Sequence, residues 1–149
     1  MDETAYGSEH PKIAEDLAEL ASLHKELGNF ESARACLERA ITIDEKAFGV
    51  DHSKVITHLE NLGALQASQK DFARAGITYR RALSLIEQTL GATHLKAATI
   101  ASALGDVLRE QGEQHRAAEC YTRALAIYDN SLPPDHPEIL ALRKRLNQA

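Results

Sequence analysis

What this chain lacks narrows it before anything it contains. Tryptophan is absent and aromatic residues make up only 5% of the sequence, the net charge is -5, and no basic run exceeds Arg143-Lys144-Arg145. That leaves neither the charge footprint nor the stacking surface of a nucleic-acid binder. No apolar stretch approaches the roughly 18 residues of a membrane span, and the opening MDETAYGSEHP has neither the basic end nor the apolar run of a signal peptide. The expectation is a soluble, cytoplasmic protein whose partners include neither nucleic acid nor membrane. There are only two cysteines, Cys36 and Cys120, with no CxxC spacing, so neither a redox motif nor a zinc site is indicated.

Against these absences stands a ladder. His10, His52, His94 and His136 follow one another at a fixed step of 42 residues, and Gly7, Gly49 and Gly91 precede the first three at the same step. Leu20, Leu62 and Leu104 keep the interval, as do Ala33, Ala75 and Ala117, then Ala40, Ala82 and Ala124, then Ile43, Leu85 and Ile127. Self-similarity at a fixed period means stacked copies of one unit, none of which can bury its apolar face alone. With 149 residues and 44% hydrophobic content the chain has the size and core of one domain. A single domain over 1–149 is expected, with repeats at approximately 6–47, 48–89 and 90–131 and a partial fourth.

Inside a repeat the apolar and small residues fall at helical spacing: Ile13, Leu17, Leu20, Ala21, His24 and Leu27, then Ala33, Leu37, Ala40, Ile41 and Ala47. Two helices per repeat follow, broken by Gly28-Asn29-Phe30, Lys70-Asp71-Phe72 and Gly112-Glu113-Gln114, where Gly, Asn and Asp supply turn geometry and caps. The spacing predicts first helices near 10–27, 52–69 and 94–111 and second helices near 30–47, 72–89 and 114–131. Pro11 and Pro137, each just after a ladder histidine, suit a first helical turn. The segment 136–147 reads as one further first helix. Its apolar edge of Ile139, Leu142 and Leu146 against Arg143, Lys144 and Arg145 is the layout of a capping helix, which an array of repeats needs at an exposed end. The N-terminal side shows no such cap, so either further repeats precede Met1 or the first repeat pairs with another molecule. Stacked helix pairs, at about 8–10 Å per helix, separate Cys36 from Cys120 far beyond the roughly 7 Å reach of a disulfide; both are expected as free, packing thiols.

The order Leu17-x-x-Leu20-Ala21-x-x-His24, Ala33-x-x-x-Leu37-x-x-Ala40 resembles the tetratricopeptide repeat (TPR) pattern. It recurs as Leu59, Leu62-Gly63, Gln66, Ala75, Tyr79, Ala82 and as Ala101, Leu104-Gly105, Leu108, Ala117, Tyr121, Ala124. The ordinary repeat of that family is about 34 residues; the longer 42-residue form, with Gly-x-x-His-Pro between repeats, is similar to the repeats of kinesin light chains. The resemblance implies an all-α fold, a right-handed α-α superhelix or TPR solenoid of three helix pairs plus a C-terminal capping helix. The chain departs from kinesin light chains at Ala18-Glu19, Glu60-Asn61 and Ser102-Ala103, where those repeats often carry an asparagine pair.

Histidines and carboxylates are the residues here that could carry chemistry. The ladder histidines lie one per inter-repeat turn, on the order of 20 Å apart, too far to share a metal at about 2 Å, and read as side chains that pack and hydrogen-bond at each turn. His24, His58 and His115 show no pairing with a cysteine or carboxylate at ligand spacing, and no GxSxG, HExxH, P-loop or GxGxxG motif occurs. No catalytic, metal or cofactor residues are assigned, and the chain is expected not to be an enzyme. A second ladder, Arg39, Arg81 and Arg123, is expected to pair with acidic groups such as Glu45, Glu87 or Asp129, each exposed pair contributing about 0–1 kcal/mol.

In the resembled family the first helices form a concave, ligand-binding surface. Carried over by position, its side chains here are Glu15, Ala18, Glu19, Ser22 and Glu26; Thr57, Glu60, Asn61, Ala64 and Ser68; and Thr99, Ser102, Ala103, Asp106 and Arg109. Chaperone-binding members clamp a C-terminal carboxylate with Lys and Arg at such places; Ala18, Ser22, Asn61, Thr99 and Ala103 stand there instead, so only Asn61 remains for a polar grip on an extended peptide. The functional expectation is a non-catalytic scaffold or interaction module holding a protein, peptide or partner helix of basic character in a small-residue, mildly acidic groove. The alternative is structural self-association, a weak homo-oligomer through the uncapped first repeat.

Overall fold

The computed structural model describes residues 10–147. Gly7 and the start of the first repeat at 6–9 lie outside the described residues. Seven α-helices make up the described fold: α1 Pro11–Glu26, α2 Phe30–Phe48, α3 Ser53–Ser68, α4 Phe72–Thr89, α5 Leu95–Glu110, α6 Gln114–Ser131 and α7 Pro137–Asn147. The expected first helices each overran by one residue at both ends, because those residues are caps.

His10, His52 and His94 are extended, at φ near -70° and ψ near 145°, and His10, His52, His94 and His136 each turn Nδ1 back to accept the backbone N–H two residues on, at 3.0–3.1 Å. A helix leaves its first N–H groups without intrahelical partners, and a cap side chain supplies one acceptor. Before each cap the chain closes a tight turn: the His52, His94 and His136 N–H groups donate to the carbonyls of Gly49, Gly91 and Pro133 at 3.4, 3.2 and 3.0 Å. The ladder seen in the sequence is a row of helix starts.

The first helices end as regularly. Asn29 N–H reaches back to the His24 carbonyl at 2.8 Å and Glu113 N–H to that of Leu108 at 2.9 Å, with Gly28 and Gly112 at φ 81° and 82°. That left-handed residue lets the chain reverse directly into an antiparallel second helix.

The described residues fall into two compact units divided between Lys70 and Asp71. In the first, α2 packs on both α1 and α3, around Ile13, Ala14, Ala40 and Ile43, with Leu17 against them. In the second, α5 packs on α4 and α6, and α7 closes over α6. Its core includes Ile86, Ile100, Tyr121, Ile139 and Leu142, all fully or almost fully buried. Small residues allow close helix approach here: a Cβ on Gly105 would come within 2.6 Å of the Tyr121 ring. Helix α7 is amphipathic as its sequence predicts, with Ile139 and Leu142 buried, Leu146 half-buried and Arg143 and Lys144 exposed.

Candidate functional site

In the first unit, α1 and α3 carry most of the residues singled out from sequence. Ser22, Asn61 and Ala64 meet at a small recess of about 90 Å³ floored by Leu37 and Leu65. Asn61 is exposed there, and the Ser22 hydroxyl donates to the Ala18 carbonyl at 3.4 Å. Glu60, next in line on α3, is half-buried.

Ala18 also borders a larger cleft of about 330 Å³, walled by Glu15 and Glu19 from α1 and by Lys54 and Thr57 from α3. Lys54 Nζ donates to Glu15 at 3.2 Å and lies 5.2 Å from the Phe48 ring centroid. That ammonium, by its hydrogen bond first and its charge second, holds the exposed Glu15 carboxyl below the usual carboxylate range. Thr57 donates its hydroxyl to the Ser53 carbonyl at 3.1 Å.

Two further residues of this cleft, Asp44 from α2 and His58 from α3, were not among those chosen from sequence. Asp44 is 1% exposed and its Oδ2 lies 2.7 Å from His58 Nε2, while Asp44 Oδ1 and His58 Nδ1, both buried, have no hydrogen-bond partner. The expectation that His58 has no carboxylate partner is corrected: the partner stands 14 residues away on a neighbouring helix, beyond any local spacing. His115 is corrected in the same way, with Glu119 one turn on at 3.0 Å. The available signal was loss of repeat symmetry. Asp44 occupies the position of Ile86 and Tyr128, and His58 that of Ile100 and Leu142 in the later copies and of Asp16 in the first.

In the second unit, Thr99, Ser102, Asp106 and Arg109 line one stretch of α5. Thr99 donates to the Leu95 carbonyl at 3.2 Å and lies 3.1 Å from the Tyr128 hydroxyl. Asp106 is the centre of a polar corner: it accepts from the Tyr121 hydroxyl at 2.6 Å and from Arg145 Nε at 3.0 Å, with Arg109 at 3.9 Å. Arg145 also lies 5.9 Å from the Tyr121 ring centroid. Burial, then the bond and charge of Asp106, push the Tyr121 phenol above its ordinary range. Asp106 and Arg109 thus take part in contacts within the fold, joining α5, α6 and α7.

The remaining polar ladders have structural partners. Arg123 pairs with Glu87 at 3.5 Å, as its position suggested, whereas Asp129 meets Arg143 of α7 at 3.7 Å. Among the described residues no three His, Cys, Asp or Glu side chains are placed to hold a metal ion, and no described helix is long and apolar enough to cross a membrane. Cys36 and Cys120 are free, and burial raises both thiols above the usual range.

The tetratricopeptide-repeat family model matches residues 13–83 and 54–130. No curated protein matches the sequence. Among solved structures, BtubC (BKLC) from P. vanneervenii aligns with TM-score 0.83 and 23% identity over 93% of this chain and 56% of that one. A Podosopora anserina protein described as a kinesin light chain with nearly identical TPR-like repeats aligns with TM-score 0.81 and 21% identity, over 93% of this chain and 66% of that one. The N-terminal domain of stress-induced protein-1 from C. elegans gives TM-score 0.71 and 20% identity over 92% and 96%. The chain thus spans 56% and 66% of the first two proteins. At these identities the likeness shows the fold, an all-α array of helical repeats.

Proposed function

The chain belongs to the tetratricopeptide-repeat family, and from that premise we propose that it is a non-catalytic interaction module holding a peptide or partner helix of basic character against the first helices of its repeats, with the contact centred on α1 and α3. The observation that carries this reading is the meeting of Ser22, Asn61 and Ala64 at one recess and of Glu19 and Thr57 at the cleft beside it, the two sharing Ala18. Small side chains leave room for a backbone there, and the Asn61 amide can both donate to and accept from it. Panning a displayed random-peptide library against the full chain tests the reading. The expected outcome is enrichment of basic peptides that bind the Asn61→Ala, Glu60→Lys double variant at least about tenfold more weakly, a loss of about 1.4 kcal/mol. Enriched peptides that bind the double variant as well as wild type would remove the proposal.

A second reading, self-association through the first repeat, has one observation in its favour. Leu20 and Leu23 of α1 are 42% and 56% exposed, whereas their repeat equivalents Leu62 and Leu65, and Leu104 and Val107, are at most 7% exposed. Large exposed apolar faces mark association sites. Sedimentation over a concentration series separates the readings: dimers abolished by Leu20→Glu with Leu23→Glu support this one, and a monomer at the highest concentration removes it.

A further inference from the structure

Asp44 and His58 face each other at a place where the later copies of the repeat carry no charged pair, although the first-repeat counterpart of His58 is Asp16. Their equivalents one repeat on are Ile86 and Ile100, and one repeat further Tyr128 and Leu142, all buried. Packing therefore does not ask for a polar pair at this position, and a buried ion pair is in general no more stabilising than apolar residues of similar volume. The pair is also incompletely satisfied. With Nε2 donating to Asp44 Oδ2 at 2.7 Å, Asp44 Oδ1 and His58 Nδ1 remain buried without partners. Such atoms cost stability unless something supplies hydrogen bonds. Asp44 Oδ1, a carboxylate oxygen, calls for a donor.

The cleft around them favours a cation. Its lining holds three carboxylates, Glu15, Glu19 and Asp44, and one ammonium, Lys54; Glu15 is engaged by Lys54 and, from outside the cleft, by Lys12 at 3.7 Å, which leaves Glu19 and Asp44 without an ammonium. No third metal-ligating side chain joins the pair among the described residues, which points to an organic cation. The cleft, at about 330 Å³, is open to a side chain of the size of arginine. A guanidinium has five N–H donors in a fixed fork and no acceptor, so one group can serve acceptors on more than one wall of a cleft.

We propose that the cleft floored by Asp44 and His58 is a subsite for the arginine side chain of a protein partner, its guanidinium donating to the unpartnered Asp44 oxygen and to the Glu19 carboxylate. This rests on the interaction reading above and names the chemistry of one contact within it. The polar pair at the first repeat junction is then a recognition element, where the equivalent pair at 86 and 100 only packs.

The test is an NMR titration of the full-length, nitrogen-15-labelled chain at low salt with acetyl-arginine amide, and in parallel with acetyl-citrulline amide, which has nearly the same shape and no charge. The expected result is saturable shifts of the His58 ring nitrogens and the Asp44 and Thr57 amides, with citrulline about tenfold weaker or worse, as loss of charge-assisted bonds predicts. The Asp44→Ile, His58→Ile double variant, which copies the junction at 86 and 100, should keep its fold and lose the arginine response. Equal binding of citrulline, arginine shifts that survive in the double variant, or no response at His58 in wild type would each overturn the subsite. Should the double variant fail to fold, the comparison of arginine with citrulline on wild type still decides. Library peptides that bind through Asn61 while arginine leaves His58 unmoved would sink the subsite and spare the interaction reading.

Discussion

A phenol that donates to a carboxylate needs its proton, and that requirement sets a pH dependence for a single residue. Tyr121 is 1% exposed and bonds Asp106 at 2.6 Å; burial first, then that bond, raise its folded-state pKa above the ordinary tyrosine value. A group whose pKa is raised on folding contributes stability that is fully present below its unfolded pKa, about 10 for tyrosine, and is lost as pH climbs towards the folded value. Tyr121→Phe should therefore cost about 1.5–3 kcal/mol near neutral pH, the range for a hydrogen bond to a charged acceptor. The gap between the two proteins' urea midpoints should narrow above about pH 10. A gap that does not change with pH would mean the hydroxyl contributes only through packing. Asp106 shows what sequence reasoning misses at this scale. As a polar residue on a first helix it qualified as a ligand contact, and nothing local to α5 says that Tyr121 from α6 and Arg145 from α7 meet it.

At the scale of the element, the helices were legible because their signals are local. The apolar period and the turn residues placed every helix to within a residue, and the structure adds why the boundaries fall where they do. The histidines at the helix starts accept a backbone N–H through Nδ1 at 3.0–3.1 Å, a role usually filled by Ser, Thr, Asp or Asn. His94→Ala should remove the acceptor at the start of α5 and cost about 0.5–2 kcal/mol, whereas His94→Asn should recover most of it. Thermal unfolding of the two variants checks this. Equal loss in both would mean that the ring's packing, and not the cap, makes histidine the residue at this step.

At the scale of the whole molecule, stability in a repeat array is close to a sum of repeats and nearest-neighbour interfaces. The helix α7 contributes to its neighbours through buried Ile139 and Leu142 and through Arg145 to Asp106 and Arg143 to Asp129. Each fully buried large aliphatic contributes about 1.5–3 kcal/mol, so deleting residues 133–149 should lower the urea midpoint markedly. Amide exchange should speed up in α5 and α6 and stay unchanged in α1 and α2. Uniform loss of protection across all helices would show that the chain unfolds as one cooperative block.

Local pattern alone gave the period, the helices of the described residues and the amphipathic face of α7, because each of these depends on residues within one or two turns of one another. The caps were read only in part, since Asp71 caps its helix, Asn29 makes no side-chain cap bond and the histidines supply the other side-chain caps. Only the tertiary structure decided which polar residues meet. Asp44 and His58 are 14 residues apart and Tyr121 and Asp106 are 15 apart, each pair on different helices; their contact depends on how the helices pack, which no local spacing encodes. The fixed step of 42 residues did hold one trace of the first pair, since Asp44 stands where later copies have Ile86 and Tyr128, and His58 where later copies have Ile100 and Leu142.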